Sequence, residues 1–192
     1  MSTIPSATIA GGSSAQNERH KSDFYETPDE CTIALLRHLP EWRKRGTWEP
    51  ACGDGAISRV LVNMCAGQRV VETDIRTTKR SLGGVDFLRC WSMPPGTHQI
   101  ITNPPFNLAA EFIRHARSFG VPFALLLKST FWHAAERRAL FVETGPAKVL
   151  PLGWRPAMAP DRGQSPTMEF SWTVWAAASS VSGCEYYPLV RP

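Results

Sequence analysis

The sequence predicts an α/β protein built on a doubly wound, mostly parallel sheet. Short β-prone runs alternate with stretches whose apolar residues recur at helical spacing, and this alternation is typical of βαβ units. A glycine-bearing turn with Gly53 and Gly55 separates the first such strand from the helix after it. The continuous apolar run at residues 123–127 suits a parallel strand that is buried on both faces. Ligands of such sheets bind beyond the carboxyl ends of the strands.

Size and composition fit one globular domain. The chain has 192 residues, of which 43% are hydrophobic and 20% are charged, and this is enough for one core but short for two. No apolar run approaches the roughly 20 residues of a membrane span. The first residues lack the layout of a secretory signal, which predicts a cytoplasmic protein. Residues 1–22 show no periodicity, so we expect a flexible tail there and a single domain at residues 23–192.

Cysteine usage and charge narrow the function only slightly. The five cysteines are odd in number, widely spaced and without a Cys-x-x-Cys pair. Neither a disulfide framework nor a metal site is therefore predicted. The formal net charge of +4 is compatible with a nucleic-acid partner, but many proteins without one are equally basic.

The individual elements follow in chain order. A helix is predicted at residues 28–40, because Thr27 and Glu30 have capping-box spacing and Pro28 suits the first helical position. The other predicted helices lie at residues 57–64, 109–116 and 131–143. The predicted strands lie at residues 46–49, 69–73, 85–88, 98–102, 123–127, 147–152 and 169–177.

The first strand-to-helix turn is a candidate nucleotide site. Gly53 and Gly55 would let the backbone approach a ligand closely. Asp74 follows about 20 positions later, at the end of the second strand, where it could accept ribose hydroxyls. A tight turn followed by a solvated strand end would give the same pattern, so these residues alone leave both interpretations open.

The charge around this turn favours one nucleotide class over another. The pattern lacks the third glycine of a dinucleotide site, because Ser58 stands there, and Glu49 would repel a pyrophosphate. A ligand with a cationic amino acid end would instead be attracted. S-adenosylmethionine has such an end and a ribose for Asp74. Asp86 and Phe87 offer its adenine a hydrogen-bond acceptor and an apolar wall.

The most specific pattern of the chain is an Asn-Pro-Pro-Phe tetrapeptide directly after an apolar strand. Together with the turn it resembles the amino-methyltransferases, most closely the small adenine-N6 DNA methyltransferases of phages and mobile elements. The matching pieces are Phe24-Tyr25-Glu26-Thr27-Pro28, Glu49-Pro50-Ala51-Cys52-Gly53-Asp54-Gly55, Glu72-Thr73-Asp74, Asp86-Phe87 and Asn103-Pro104-Pro105-Phe106. The resemblance covers residues 23–130. It implies a Rossmann-like class I methyltransferase fold, in which a mostly parallel seven-stranded sheet ends in a C-terminal antiparallel hairpin, here residues 147–152 and 169–177.

The tetrapeptide suggests how an amino group would be methylated. The exocyclic amine of adenine is a poor nucleophile because its lone pair is delocalised into the ring. The Asn103 side-chain oxygen and the Pro104 carbonyl could accept its two hydrogens and free the lone pair for in-line attack, while Pro104 and Pro105 hold both acceptors in place. Phe106 would stack on a base that has left its duplex. A proline-rich turn that simply ends a strand is the structural alternative.

The resemblance also implies S-adenosyl-L-methionine as the cofactor. The segment that begins the first helix would close over the methionine part of the donor. The candidate cofactor-binding residues are Tyr25, Thr27, Glu49, Pro50, Cys52, Gly53, Gly55, Asp74, Ile75, Asp86, Phe87 and Asn103.

Target recognition is the least defined part of the sequence. No separate target-recognition domain fits after the tetrapeptide. Trp154, Arg155 and Arg162 lie in an irregular connection at residues 153–167 and could stack on bases or meet phosphates, as Lys128 could. A solvated loop is the alternative. DNA is the expected partner, with an RNA base amino group, a protein glutamine amide or a non-catalytic binding module as alternatives. A homodimer or an accessory protein could supply selectivity.

Overall fold

A computed structural model describes residues 25–81, 83–158, 167–177 and 183–192 of the chain. The predicted tail at residues 1–22 and the candidate contact Arg162 lie outside these described residues. No helix in the described ranges is long and apolar enough to cross a bilayer.

Seven strands form one sheet in the order β2-β1-β3-β4-β6-β5-β7. They are β1 (Thr47–Glu49), β2 (Val70–Glu72), β3 (Gln99–Thr102), β4 (Phe123–Lys128), β5 (Lys148–Pro151), β6 (Phe170–Trp175) and β7 (Glu185–Tyr186). Strand β6 is antiparallel to both of its neighbours, whereas all other paired strands are parallel. The predicted mostly parallel sheet with an antiparallel pair near its C-terminal end is confirmed.

Helices cover both faces of this sheet. They are α1 (Asp29–His38), α2 (Ala56–Met64), α3 (Ala109–Ser118) and α4 (Arg137–Thr144). Ile100 and Ile101 are adjacent on β3 and belong to different hydrophobic clusters, because successive side chains of a strand point to opposite faces. The first cluster contains residues of α1 and α2, and the second contains residues of α3 and α4. Strand β4 is buried from Phe123 to Leu127, as its apolar run predicts.

The predicted strand at residues 85–88 is wrong. A single 3-10 turn, Phe87–Arg89, stands in its place. The Asp86 carboxylate accepts a hydrogen bond from the Leu88 N–H at 3.0 Å, and this local bond competes with pairing to a neighbouring strand. The seventh strand is instead β7, whose two residues are too few to show a strand period in the sequence.

Two helix predictions also need correction. Pro28 rather than Thr27 is the N-cap of α1, so the capping box is not formed. The Thr27 hydroxyl accepts a hydrogen bond from Asn103 instead. The predicted helix at residues 131–143 is divided into a 3-10 turn, Ser129–His133, and the separate helix α4.

Gly46 lies where the start of β1 meets the segment before β3. A Cβ atom there would lie 1.9 Å from the Gly96 carbonyl oxygen, and the His98 N–H binds the Gly46 carbonyl at 2.7 Å, so neither backbone can move freely. We expect Gly46→Ala to lower the free energy of unfolding by about 3 kcal/mol, measured by denaturant titration. Gly67→Ala is the control, because its Cβ would meet nothing within 4 Å. Its positive φ limits the expected loss to about 1 kcal/mol, and equal losses would contradict the steric explanation.

Candidate active site

A cleft with an unfilled volume of about 430 Å³ opens at the carboxyl ends of β1 and β3. Its walls come from the start of α1, the turn after β1 and the segment after β3, which are distant in sequence. The lining residues are Tyr25, Glu26, Thr27, Glu49, Ala51, Cys52, Asp54, Ala56, Ile57, Arg76, Asn103 and Pro105. Six residues predicted for the site are thereby brought together, namely Tyr25, Thr27, Glu49, Cys52, Asn103 and Pro105.

The turn after β1 adopts the conformation that its glycines allow. Gly53 has φ +53° and Gly55 has φ +85°, both in the left-handed region. The Cys52 N–H donates to the Thr73 carbonyl at 3.0 Å, which ties the turn to the residues after β2. Gly55 is the N-cap of α2, so this helix begins beside the cleft.

The Asp74 carboxylate already has several hydrogen-bond donors. It is 2% exposed and accepts from the Gly53 N–H at 2.9 Å, the Arg76 N–H at 2.9 Å and the Arg76 guanidinium at 3.1 Å. Burial alone would raise the pKa of Asp74, but the hydrogen bonds from Arg76 and Gly53 hold it below its usual value. Asp74 therefore shapes the glycine turn. A ribose would have to share this carboxylate with Arg76 or displace the guanidinium.

Glu49 places a buried carboxylate at the end of β1. Its side chain is 1% exposed, and burial raises its pKa to about 8. Contacts with Ser58 oppose this rise, although neither Glu49 Oε2 nor the Ser58 hydroxyl makes a hydrogen bond of ordinary geometry with the residues that the structure describes. A buried charge without a partner is costly. The cleft consequently favours a positively charged group beside Glu49.

The Asn103 amide has a fixed orientation and one unused acceptor. Its Nδ2 donates to the Thr27 hydroxyl at 3.1 Å and to the Tyr25 carbonyl at 3.3 Å. Its Oδ1 is buried and has no hydrogen-bond partner among the described residues. Since a carbonyl oxygen can accept two hydrogen bonds, a ligand N–H in the cleft would satisfy this atom.

The Phe106 ring contacts two aromatic rings and a cation. Tyr25 stacks on it with the ring centroids 5.1 Å apart, and the Phe170 ring lies 5.8 Å away. The Lys128 ammonium lies 4.2 Å from the Phe106 centroid. Such cation–π contacts contribute only about 0.5–1 kcal/mol where solvent has access, so an incoming planar ring could displace the ammonium.

Several predicted residues lie outside this cleft. Phe87 is 2% exposed, and its ring packs against Trp48 and Phe112 in the core, so it offers no wall to the cleft. Asp86 caps the following 3-10 turn. Ile75, next to Asp74, is exposed and is not among the lining residues.

The candidate substrate contacts that belong to the described residues lie in a second groove or at its border. Trp154 and Arg155 line that groove, whereas Lys128 lies at the Phe106 ring. Arg76 lines the cleft and contacts Asp74, although the sequence did not indicate it as a site residue. Its position two residues after Asp74 was the available signal, since a basic side chain so close can turn back onto a carboxylate.

No family model and no curated protein matches this chain. Solved structures do. A candidate RNA methyltransferase from Pyrococcus horikoshii is 13% identical with a TM-score of 0.60, over 79% of this chain and 85% of that one. The M protein of the type I restriction enzyme EcoKI is 13% identical with a TM-score of 0.58, over 89% of this chain but 49% of that one.

A third similar structure is a SAM-dependent O-methyltransferase from Thermotoga maritima. It is 15% identical with a TM-score of 0.52, over 77% of this chain and 64% of that one. At these identities the likeness establishes the fold alone. The chain therefore has the Rossmann-like class I methyltransferase fold, as its sequence predicts.

Proposed function

We propose that the protein is an S-adenosylmethionine-dependent methyltransferase that methylates the exocyclic N6 amino group of adenine in DNA by direct in-line transfer. The observation that supports this most is that one cleft holds a buried carboxylate oxygen of Glu49 and the buried side-chain oxygen of Asn103, neither of which has a hydrogen-bond partner among the described residues. Glu49 suits the ammonium of the methyl donor. Asn103 Oδ1 suits a hydrogen of the amine that is methylated.

The residues around the glycine turn fit the donor. Glu49 would bind its ammonium, and Gly53 and Gly55, both in the left-handed region, add no side chains of their own to the turn. Asp74 would bind the ribose hydroxyls in exchange for part of its contact with Arg76, and the exposed Ile75 would lie against the adenine. S-adenosylmethionine itself would supply an electrophilic sulfonium methyl group.

The hydrogen bonds of Asn103 suit the acceptor role. Because Nδ2 is held by Thr27 and Tyr25, the side-chain oxygen is the group left for the substrate amine. The Pro104 carbonyl would accept the second hydrogen, which draws the nitrogen toward tetrahedral geometry. Phe106 would stack on the adenine once the Lys128 ammonium has moved.

The proposal that DNA carries the target adenine rests on the Asn-Pro-Pro-Phe tetrapeptide and not on the fold. The similar structures include a candidate RNA methyltransferase and a restriction-enzyme M protein, so the fold is compatible with more than one substrate. Asn-Pro-Pro-Phe is the form that resembles the adenine-N6 DNA enzymes. A single domain at residues 23–192, which the sequence predicts, would obtain its selectivity from its own grooves, a second copy or an accessory protein.

The test combines donor binding with product identification. We expect calorimetry to show one S-adenosylmethionine site per chain. Incubation with methyl-tritiated donor and separate pools of DNA, RNA and protein should place the label in N6-methyladenine from DNA. Label in RNA nucleosides or in methylglutamine would show that RNA or protein, and not DNA, is the substrate. Failure to bind the donor would make the chain a non-catalytic module and end the proposal.

A further inference from the structure

A second groove lies at the carboxyl edge of the sheet, on the side of β5 and β7. It has an unfilled volume of about 1430 Å³. One wall is the 3-10 turn after β4, and the other is formed by the ends of β5 and β7 with the segment after β5. Trp132, Trp154, Arg155, Glu169, Ser171 and Tyr186 are among its lining residues.

This groove adjoins the part of the candidate active site that contains the Phe106 ring. Ser129 and Ser171 line it, and each directly follows a residue that contacts the Phe106 ring. Lys128 places its ammonium 4.2 Å from that ring centroid, and the Phe170 ring lies 5.8 Å away. The two serine hydroxyls are 2.9 Å apart, so this end of the groove is polar. A polymer whose target base stacks on Phe106 could therefore continue directly into the groove.

Aromatic side chains in the groove are positioned in advance. The Trp132 indole N–H donates to the Thr173 hydroxyl at 3.2 Å, and the Trp154 indole N–H donates to the Glu30 carboxylate at 3.2 Å. Tyr186 is 69% exposed. Rings with a fixed orientation and an accessible face are the surfaces on which successive unpaired bases stack. Paired bases in a duplex do not expose these faces.

The charges of the groove also suit a polynucleotide. The Arg155 guanidinium pairs with the Glu169 carboxylate at 2.8 Å, and both side chains are more than half exposed. Such a surface ion pair contributes little stability and can be exchanged for a phosphate. His133 lines the groove as well, and Arg137 and Arg138 begin the helix that follows it.

We propose that this groove binds the unpaired DNA strand next to the target adenine, by stacking on its aromatic rings and by a phosphate contact to Arg155. The proposal rests on the proposed function, which supplies DNA as the polymer. It adds that the preferred substrate is single-stranded. An unpaired adenine also reaches the active site at lower cost, because it does not have to leave a duplex.

The test uses paired substitutions that differ in whether they lie in the groove. The groove variant is Arg155→Gln with Tyr186→Ala. The control is Arg114→Gln with Tyr187→Ala, because Arg114 forms a comparable exposed ion pair with Glu143 and the Tyr187 ring stacks on His38. Fluorescence anisotropy would measure binding of an oligonucleotide about 12 nucleotides long as single-stranded DNA, duplex DNA and RNA at one salt concentration.

We expect the groove variant to bind single-stranded DNA at least tenfold more weakly than the native chain, because stacking and a phosphate contact are both lost. The control should change less than twofold. Thermal melting and donor affinity should be the same in all three proteins. Unchanged binding by the groove variant, or native binding that is tighter for duplex DNA or RNA, would overturn the proposal.

Failure of the groove and failure of the proposed function give different results. If DNA adenine is methylated but the groove variant binds the oligonucleotide with unchanged affinity, the groove proposal is wrong and the proposed enzymatic function stands. If the groove residues are needed to bind single-stranded DNA but no N6-methyladenine is formed, the proposed enzymatic function is wrong and the groove stands as a DNA-binding site.

Discussion

Asn103→Ala is expected to lower the rate of methyl transfer at least about 10³-fold while donor binding persists. The substitution removes the Oδ1 acceptor, a buried atom of the cleft that has no hydrogen-bond partner among the described residues. Loss of one preorganised group that stabilises the charge changes of a transition state costs about 10²–10³ in rate. The same substitution also removes the Nδ2 bonds to Thr27 and Tyr25, which adds to the loss. A single-turnover rate with saturating donor measures the effect.

Thr27→Val separates these two contributions. Valine keeps the shape of threonine but cannot accept the 3.1 Å hydrogen bond from Asn103 Nδ2. The acceptor oxygen remains, so we expect a rate loss of less than about tenfold, together with a weaker fixation of the amide. Full activity of Asn103→Ala would remove Asn103 from the mechanism. Equal losses in both variants would make it a residue that positions the start of α1.

That Glu49 and Asn103 line the same cleft could be predicted, because it follows from the sheet topology. Each residue ends or directly follows a strand, and β1 and β3 are parallel neighbours. The carboxyl ends of parallel neighbours lie at the same edge of a sheet. A glycine turn after one strand and an Asn-Pro-Pro sequence after the other therefore had to face a common cleft once the strands were recognised.

The partners of these side chains could not be predicted in the same way. Thr27 has the right spacing to cap α1, but its hydroxyl binds Asn103, which is distant in sequence. Asp74 ends its strand as expected, yet Arg76 and Gly53 bind the carboxylate that a ribose was expected to occupy. A side-chain oxygen can accept hydrogen bonds of similar free energy from several donors. Which of these bonds forms depends on the folded geometry and not on the local sequence.

The number of strands was right for a partly wrong reason. Residues 85–88 have a strand-like composition, but the Asp86 carboxylate stabilises a turn and Phe87 enters the core. The sheet reaches seven strands through β7, a two-residue strand that pairs in parallel with β5. Two residues carry no periodic signal, so tertiary contact rather than local preference defines this strand.

Glu49→Gln is expected to weaken donor binding at least about 10²-fold and to stabilise the donor-free protein at neutral and alkaline pH. Removing one partner of a buried charge pair typically costs 2–5 kcal/mol of binding. The pKa of Glu49 is raised from 4.5 to about 8 by burial, so the folded state retains a proton that the unfolded state has lost. The native chain should therefore lose stability relative to the variant as the pH rises from 4.5 to about 8.

The size of this loss follows from the shift itself. A pKa that rises from 4.5 to about 8 corresponds to at most about 5 kcal/mol, at about 1.4 kcal/mol per pH unit. Denaturant titrations of both proteins between about pH 5 and pH 9 measure it, and the difference should stop growing above the folded pKa. Glu72→Gln is the control, because Glu72 already pairs with Arg80 at 2.8 Å. It should leave most of the pH dependence in place.

Donor binding should show the opposite dependence on pH. The ammonium of the donor requires the charged form of Glu49, so the affinity of the native chain should increase as the pH approaches 8, whereas Glu49→Gln should show no such increase. Calorimetry across this range tests both. A carboxylate that destabilises the empty protein and strengthens donor binding is the signature of a site that is organised for its ligand. Equal pH dependence in both proteins would show that the cation binds elsewhere.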